Sequence, residues 1–194
     1  MDPDRPVWYV AYGSNLRRSR FEAYVHGGRV EGTERVYVGC RSSVPASGQV
    51  AVTIPHRLAF GRRSRTWGGG VAFVDPARRE STSTIGRGWR VGAQQLGDLI
   101  AQENGAEAHD PDPRWFDLEV GGAALGPFNW YGVVVRCDDI EGEPAFTATS
   151  ADWPIEPNPP TDDYLAHVRA GLAELGHAAD VVDEYLAAAL GRRR

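Results

Sequence analysis

The sequence predicts an α+β fold, a small mixed or antiparallel β-barrel with flanking helices and a C-terminal helical hairpin. Short apolar segments divided by glycine, proline and serine fill most of the first 150 residues, as is typical of strands joined by tight turns. Two segments with helical periodicity follow, over about 161–190. With 194 residues, 42% of them hydrophobic, the chain fits one domain over 1–194, with the barrel core at about 7–150.

The first strand is predicted at Val7–Ala11, where the chain is continuously apolar. It ends in the turn Tyr12-Gly13-Ser14-Asn15-Leu16, and a helix is predicted over Leu16–Tyr24. Such a turn directs several backbone N–H groups toward one point, where the helix N-terminus adds partial positive charge. The turn is therefore a binding site for a carboxylate or an oxyanion, or it is a simple helix cap in which Gly13 supplies a backbone conformation that other residues avoid.

The other strands are predicted from short runs rich in β-branched and aromatic residues. They lie within Arg35–Cys40, Val50–Phe60, Trp67–Val74, Ile85–Val91, Trp130–Cys137 and Pro144–Thr149, and Pro55 is expected to interrupt the second of these stretches. The last two are expected to pair as antiparallel neighbours across the turn at 138–143.

One carboxylate stands at an unexpected position of the helix predicted over Gly92–Glu103. Leu96, Leu99 and Ile100 define the apolar face of this helix, and the same spacing continues to Glu103. Burial and the negative end of the helix dipole would both raise the pKa of this carboxyl. Such a group can take a proton from an ammonium and return it to a leaving amine. The alternative is that the last turn points outward and that Glu103 is a solvated end residue.

Two helices are predicted to form a hairpin on the β core at the C-terminal end. Thr161 can cap the first helix, and Gly176 ends it. The apolar residues of the two helices are Leu165, Val168, Leu172 and Leu175 in the first, and Val181, Val182, Tyr185, Leu186 and Leu190 in the second.

Composition argues against several classes of function. The net charge is −5 and the arginines are interspersed with acidic residues, which argues against nucleic-acid binding. The sequence has no lysine, which excludes Schiff-base chemistry and a phosphate-binding P-loop. The histidines form no metal-binding pattern, so we expect no metal. Cys40 and Cys137 are far apart and no targeting or membrane-spanning segment is visible, so we expect reduced thiols, no membrane contact and a cytoplasmic location.

The turn Tyr12–Leu16 after a first strand resembles the signature of the γ-glutamylcyclotransferase-like family. Three further segments agree with that family in the same order. Ser64–Ala72 is similar to its S-x-T-W-x-G-G-[IV]-A stretch, Leu99–Glu103 to the end of the helix that carries its catalytic glutamate, and Pro159–Leu165 to the start of its C-terminal helices. The similarity extends from Val7 to about Leu190.

This resemblance implies an enzyme that acts on a γ-glutamyl amide, a small molecule. The α-amine of the substrate attacks its own γ-carbonyl, which releases 5-oxoproline and a free amine. By resemblance, Glu103 would be the general base and acid, the N–H groups around Gly13, Ser14 and Asn15 would bind carboxylate or oxyanion charge, and Tyr131 would line the cavity. The family needs no metal and no organic cofactor, and the sequence does not indicate an oligomeric state.

The chain departs from the family at 104–129, where relatives often have a short turn. This insertion could form a lid or change the pocket. Two other functions therefore stay open at the level of sequence. One is a non-catalytic barrel that binds a small carboxylate ligand, and the other is an acyltransferase or amidase that acts on another amide.

Overall fold

The computed structural model of the chain describes residues 2–30 and 34–191. The strands in this part are β1 (Pro6–Ala11), β2 (Gly28–Arg29), β3 (Val36–Tyr37), β4 (Gly48–Ile54), β5 (Leu58–Gly61), β6 (Val71–Val74), β7 (Thr84–Gly92), β8 (Ala123–Leu125), β9 (Val133–Ile140) and β10 (Glu143–Thr149). The helices are α1 (Arg18–His26), α2 (Ala93–Glu103), α3 (Asp162–Glu174) and α4 (Ala179–Ala189). Short 3-10 turns cover Ser14–Leu16 and Pro113–Asp117.

A six-stranded mixed sheet in the order β4-β7-β1-β10-β9-β8 forms the centre of the fold. Strand β1 runs parallel to β10 and antiparallel to β7, and the other neighbours are antiparallel. Two smaller sheets pair β2 with β3 and β5 with β6. The predicted α+β class, the mixed sheet, the β9–β10 hairpin and the C-terminal helices are thus confirmed.

The predicted barrel is not closed in the part of the chain that the structure describes. The central sheet stays open, with β4 and β8 at its edges, and the β5–β6 hairpin lies beside it. The side chain of Thr149 connects β10 to β6: its hydroxyl accepts from the N–H of Val74 at 3.1 Å and donates to the carbonyl oxygen of the same residue. The hydrogen bonds between β10 and β6 thus involve a side chain, whereas a closed barrel would pair the two strands through backbone hydrogen bonds. The prediction of closure was wrong for this reason.

Strand β1 is buried on both faces, which explains its continuous apolar sequence. Trp8 and Val10 pack on one side, in a core cluster with residues of α3 and α4. Val7, Tyr9 and Ala11 pack on the other side, against α1 and α2. The turn after β1 therefore emerges between two packed layers of helices.

Several predicted boundaries move, and local chemistry accounts for the changes. The helix predicted over Leu16–Tyr24 is divided because Arg17 is extended (φ −73°, ψ 126°), so a 3-10 turn precedes α1. The extended stretch over Val50–Phe60 is divided at the predicted interruption, Pro55, into β4 and β5. Helix α2 ends at Glu103 as predicted, and the Thr161 side chain caps α3 by accepting from the N–H of Tyr164.

The insertion at 104–129 extends the sheet. It contributes the edge strand β8 and a 3-10 turn in which Trp115 is fully buried. Asp98 of α2 anchors the insertion by accepting from the backbone N–H of His109 at 3.3 Å. The insertion therefore packs against the fold as an added layer.

None of the helices within residues 2–30 and 34–191 is long and apolar enough to cross a membrane.

Candidate active site

A polar cavity opens at the C-terminal end of β1. The turn after β1, helix α1, the last residue of α2, the start of β6, the segment before β9 and helix α3 all contribute to its wall. The polar and aromatic side chains that line this cavity include those of Tyr12, Ser14, Asn15, Arg20, Tyr24, Tyr37, Trp67, Glu103, Tyr131 and Tyr164. Of the residues that the insertion 104–129 contributes to the described structure, none lines this cavity.

Glu103 and the turn after β1 meet in this cavity. The side-chain amide of Asn15 donates to Oε1 of Glu103 at 2.6 Å, across 88 residues of sequence. The hydroxyl of Tyr24, from α1, donates to Oε2 at 3.1 Å. Both carboxylate oxygens are therefore held in place, and both donors are uncharged.

The carboxyl of Glu103 is surrounded by protein but faces the cavity, so the residue is only half-buried. Burial raises the pKa of this carboxyl above that of an ordinary glutamate. The charges of Arg20 and Arg35 and the hydrogen bonds from Tyr24 and Asn15 act in the opposite direction, without cancelling the rise. Among the described residues, no arginine forms an ion pair with Glu103. The carboxyl therefore holds a proton more readily than an ordinary glutamate, which suits a group that must accept a proton and return it.

Gly13 is required for space. Its φ is −111°, which other residues also adopt. A Cβ at this position, however, would lie 2.7 Å from the hydroxyl oxygen of Tyr164. The turn therefore needs glycine because helix α3 approaches it closely. The alternative considered for Gly13, a backbone conformation that other residues avoid, is not the reason.

The remaining residues of the turn have different surroundings. Ser14 lines the cavity, and its hydroxyl accepts a long hydrogen bond of 3.4 Å from Arg20. Tyr12 also lines it, but the hydroxyl of Tyr12 donates to the carbonyl of Ala148 at 2.6 Å. Leu16 is fully buried in the core and does not line the cavity. The cavity thus receives the polar groups of residues 14 and 15 and the backbone of residue 13.

Tyr131 lies on the opposite wall, as its position before β9 suggested. Its hydroxyl donates to the carbonyl of Ala72 at 3.1 Å. Its backbone N–H donates to Oδ1 of Asn104 at 2.7 Å, so the residue after Glu103 fixes this wall. Its ring stacks on Phe73 with centroids 4.8 Å apart.

Our sequence reasoning missed Tyr164. Its hydroxyl oxygen accepts from the N–H of Ala72 at 3.0 Å and lies against the N–H of Ser14. Burial raises the pKa of Tyr164 well above its ordinary value, so the hydroxyl stays protonated. The sequence could have indicated that Tyr164 faces inward. It lies three residues after the cap Thr161 and one helical turn before Val168, on the buried face of α3.

Arg20 was missed as well. It is 2% exposed, and its Nη1 donates to the hydroxyl of Tyr37 at 2.5 Å. Leu16, Arg20 and Tyr24 are spaced by four residues, which places the arginine on the buried side of this segment. That spacing was visible in the sequence.

No cluster of three or more histidine, cysteine, aspartate or glutamate side chains in residues 2–30 and 34–191 is arranged to hold a metal ion.

Comparison with known proteins gives relatives in sequence and in structure. No protein-family model matches the chain. Histone deacetylase 5 of Arabidopsis thaliana is 36% identical over 190 residues, and this match covers 88% of the chain but 28% of that protein. The chain thus spans less than a third of the relative whose name mentions a deacetylase.

Two solved structures share the fold. One is described as a gamma-glutamyl cyclotransferase, with a TM-score of 0.58 and 17% identity, and the match covers 94% of this chain and 88% of that one. The other is an uncharacterized protein from Homo sapiens, with a TM-score of 0.56, 18% identity and the same coverage of 94% and 88%. At these identities, the likeness is one of fold.

Proposed function

The chain has the γ-glutamylcyclotransferase-like fold, and from this premise we propose that it cyclises a γ-glutamyl amide to 5-oxoproline and releases a free amine or amino acid. The observation that carries the proposal is the hydrogen bond from Asn15 to Glu103. It joins the turn after β1 to a carboxyl of raised pKa that faces the same cavity. Proton transfer and anion binding are thus available at one place.

The first step is proton removal. The α-ammonium of the substrate cannot attack a carbonyl until it loses a proton, and the ionised carboxylate of Glu103 accepts that proton. The raised pKa of Glu103 makes it a stronger base than an ordinary glutamate. Asn15 and Tyr24 hold the carboxylate in a fixed orientation while it does so.

The second step forms the ring. The free α-amine attacks the γ-carbonyl carbon, a C–N bond forms, and the electron pair of the carbonyl π bond moves to oxygen. The N–H groups of the turn and the protonated hydroxyl of Tyr164 are donors for this oxyanion, because Tyr164 has no acceptor for its proton among the described residues. A donor of this kind typically contributes about 3 kcal/mol of transition-state stabilisation.

The third step breaks the original amide. The oxyanion electron pair returns to reform the carbonyl, the bond to the leaving nitrogen breaks, and Glu103 returns its proton to that nitrogen. The ring nitrogen still carries two hydrogens after the attack, and it gives one of them to the released amine, which leaves as an ammonium. Attack within one molecule gains most of its rate from orientation, so a cavity walled by rigid aromatic side chains such as Tyr131 and Tyr164 suits it. The chemistry balances with no further reactant.

A product assay tests the proposal. The protein is incubated with a panel of γ-glutamyl amino acids and γ-glutamyl amines, and the products are separated and identified by mass. We expect 5-oxoproline and the free amine in equal amounts from at least one member. Release of glutamate in place of 5-oxoproline would indicate amide hydrolysis, and absence of any turnover would favour a binding protein. Either result would contradict the proposal.

A further inference from the structure

Arg20 is a buried cation that lacks a carboxylate partner. It is 2% exposed and it lines the cavity. No carboxylate in the described part of the chain lies within ion-pair distance of its guanidinium, and its Nε has no hydrogen-bond partner there. Arginine is almost never fully buried unless it is paired. Its charge therefore requires an explanation.

Neutral groups provide the surroundings of this guanidinium. Nη1 donates to Tyr37 at 2.5 Å, and Nη2 reaches the hydroxyl of Ser14 only at 3.4 Å. The rings of Tyr24, Tyr37 and Trp67 lie 5.6, 5.1 and 5.0 Å from its central carbon. These contacts orient the group and compensate in part for its desolvation, but they bring no negative charge. The weakly bonded Nη2 remains able to bind an anion.

A second buried arginine, Arg87, differs from Arg20 in that it has an ion-pair partner. Arg87 is also 2% exposed and also lies against an aromatic ring, that of Trp89. Its Nη1, however, forms an ion pair of 2.8 Å with Glu174, and its Nη2 donates to the carbonyl of Gly171. Arg87 thus has its anion within the protein, whereas Arg20 does not.

We propose that Arg20 binds the free α-carboxylate of the substrate, so that the enzyme selects γ-glutamyl compounds in which this carboxylate is unmodified. The proposal rests on the proposed function. Adjacent residues of the turn contact two of the charged groups that line the cavity, Ser14 contacting Arg20 and Asn15 contacting Glu103. Tyr24 contacts both as well, through its ring and its hydroxyl.

This arrangement fits the two charges of the substrate. The α-ammonium and the α-carboxylate are bonded to the same carbon atom, so they must bind to neighbouring groups of opposite charge. Glu103 faces the ammonium and Arg20 faces the carboxylate. A guanidinium can also bind a carboxylate through two hydrogen bonds, which would fix the α-carbon relative to Glu103.

Paired substrates test the inference. γ-Glutamyl anilide with a free α-carboxylate is compared with the same anilide carrying an α-carboxamide, so that the leaving group stays constant. We expect wild-type protein to prefer the free acid by about 100-fold in kcat/KM, as is typical when a desolvated charge pair is lost. The Arg20→Met variant is expected to lose this preference because its kcat/KM should fall for the free acid and not for the α-carboxamide. Arg18→Met, an exposed position of the same helix, should keep the preference of wild type.

Three outcomes would overturn the assignment. Wild-type protein could turn over both anilides equally, or Arg20→Met could lose activity equally on both, as a purely structural arginine would. If Arg20→Met does not fold, Arg20→Lys takes its place, since it keeps the charge but not the paired hydrogen bonds, and an unchanged preference in that variant would also count against the assignment.

A binding measurement separates this inference from the proposed function. L-Glutamine and its α-carboxamide are titrated into wild-type protein by calorimetry, with no turnover required. Preferential binding of the free acid that disappears in Arg20→Met or falls in Arg20→Lys supports the carboxylate site, even if no 5-oxoproline is ever formed. If L-glutamine binds no better than its α-carboxamide, the Arg20 assignment is wrong whether or not the cyclisation occurs.

Discussion

Helix α2 carries two carboxylate residues, five positions apart, whose surroundings differ: Asp98 is fully buried and Glu103 is half-buried. Asp98 forms an ion pair of 2.8 Å with Arg41. It also accepts from the backbone N–H groups of Arg41 and His109, at 2.9 and 3.3 Å. Glu103, at the end of the same helix, accepts from the uncharged side chains of Asn15 and Tyr24 and from no charged group among the described residues.

The difference lies in what compensates each charge. Asp98 has a cation and two backbone donors, so its ionised form is part of the folded structure and ties residues 41 and 109 to the helix. Glu103 has donors that fix its position but no paired cation, and its pKa is raised. A helix can thus hold one carboxylate as a structural anchor and keep another able to exchange a proton.

The largest effect is expected from Glu103→Gln. The amide keeps the shape of the side chain but cannot accept the substrate proton, so kcat/KM for 5-oxoproline formation should fall about 1,000-fold or more. Thermal unfolding should show an intact fold. The control is Glu107→Gln, an exposed position in the following segment, which should retain full activity. A Glu103→Gln protein with near-normal kcat/KM would remove Glu103 from the mechanism.

The next effect concerns stability. Asp98→Ala leaves Arg41 and two backbone N–H groups without their acceptor, so we expect a loss of about 2 to 3 kcal/mol in the free energy of unfolding. The loss is below that of a fully buried pair because the Arg41 side chain is 40% exposed. Urea titration measures it, and Asp110→Ala, which removes only the exposed partner of Arg41, serves as the control. Equal stabilities of the two variants would contradict the anchoring role.

A smaller effect should follow from Tyr24→Phe. The change removes the hydrogen bond to Oε2 of Glu103, which favours the ionised form, so the pKa of Glu103 should rise further. The acid side of the pH profile of kcat/KM should move to higher pH, with a loss of about tenfold at the pH where wild type first reaches its plateau. Tyr37→Phe offers a comparison, because its hydroxyl contacts Arg20 and not Glu103. A profile unchanged by Tyr24→Phe would show that another group controls the acid side.

The smallest effect is the pH dependence of stability at Glu103. Its pKa in the folded state is above the value in the unfolded chain, so the folded state binds the proton more tightly. The contribution of Glu103 to the free energy of unfolding is therefore fully present below its pKa in the unfolded chain. This contribution is lost as the pH rises through its pKa in the folded protein. As the pH rises over this range, the Glu103→Gln variant should therefore become more stable relative to wild type. Unfolding curves at several pH values measure it, and a constant difference would contradict the raised pKa.

The sequence allowed the main parts of the site to be proposed separately. The apolar run Val7–Ala11 and the turn after it predicted a strand that opens into a polar loop. The spacing of Leu96, Leu99 and Ile100 made Glu103 a candidate for an inward-facing carboxylate, with a solvated helix end as the alternative. Those are local patterns. The hydrogen bond from Asn15 to Glu103 depends on how α2 packs beside β1, which no local pattern specifies.

Other features required the tertiary structure for different reasons. Arg20 and Tyr164 occupy buried helical positions where the sequence pattern shows only that a side chain faces inward. The open sheet depends on Thr149 bridging to Val74, a choice between a side-chain and a backbone hydrogen bond that propensity does not determine.

The close approach of Tyr164 to Gly13 has a consequence for the order in which the protein is made. Chain synthesis begins at the N-terminus, so the turn after β1 and Glu103 are available to fold before helix α3 exists. A shortened chain that ends before Thr161 could form the contact between Asn15 and Glu103 but would lack the wall that Tyr164 provides. The wall that Tyr164 provides is therefore added to the site only after helix α3 has been synthesised.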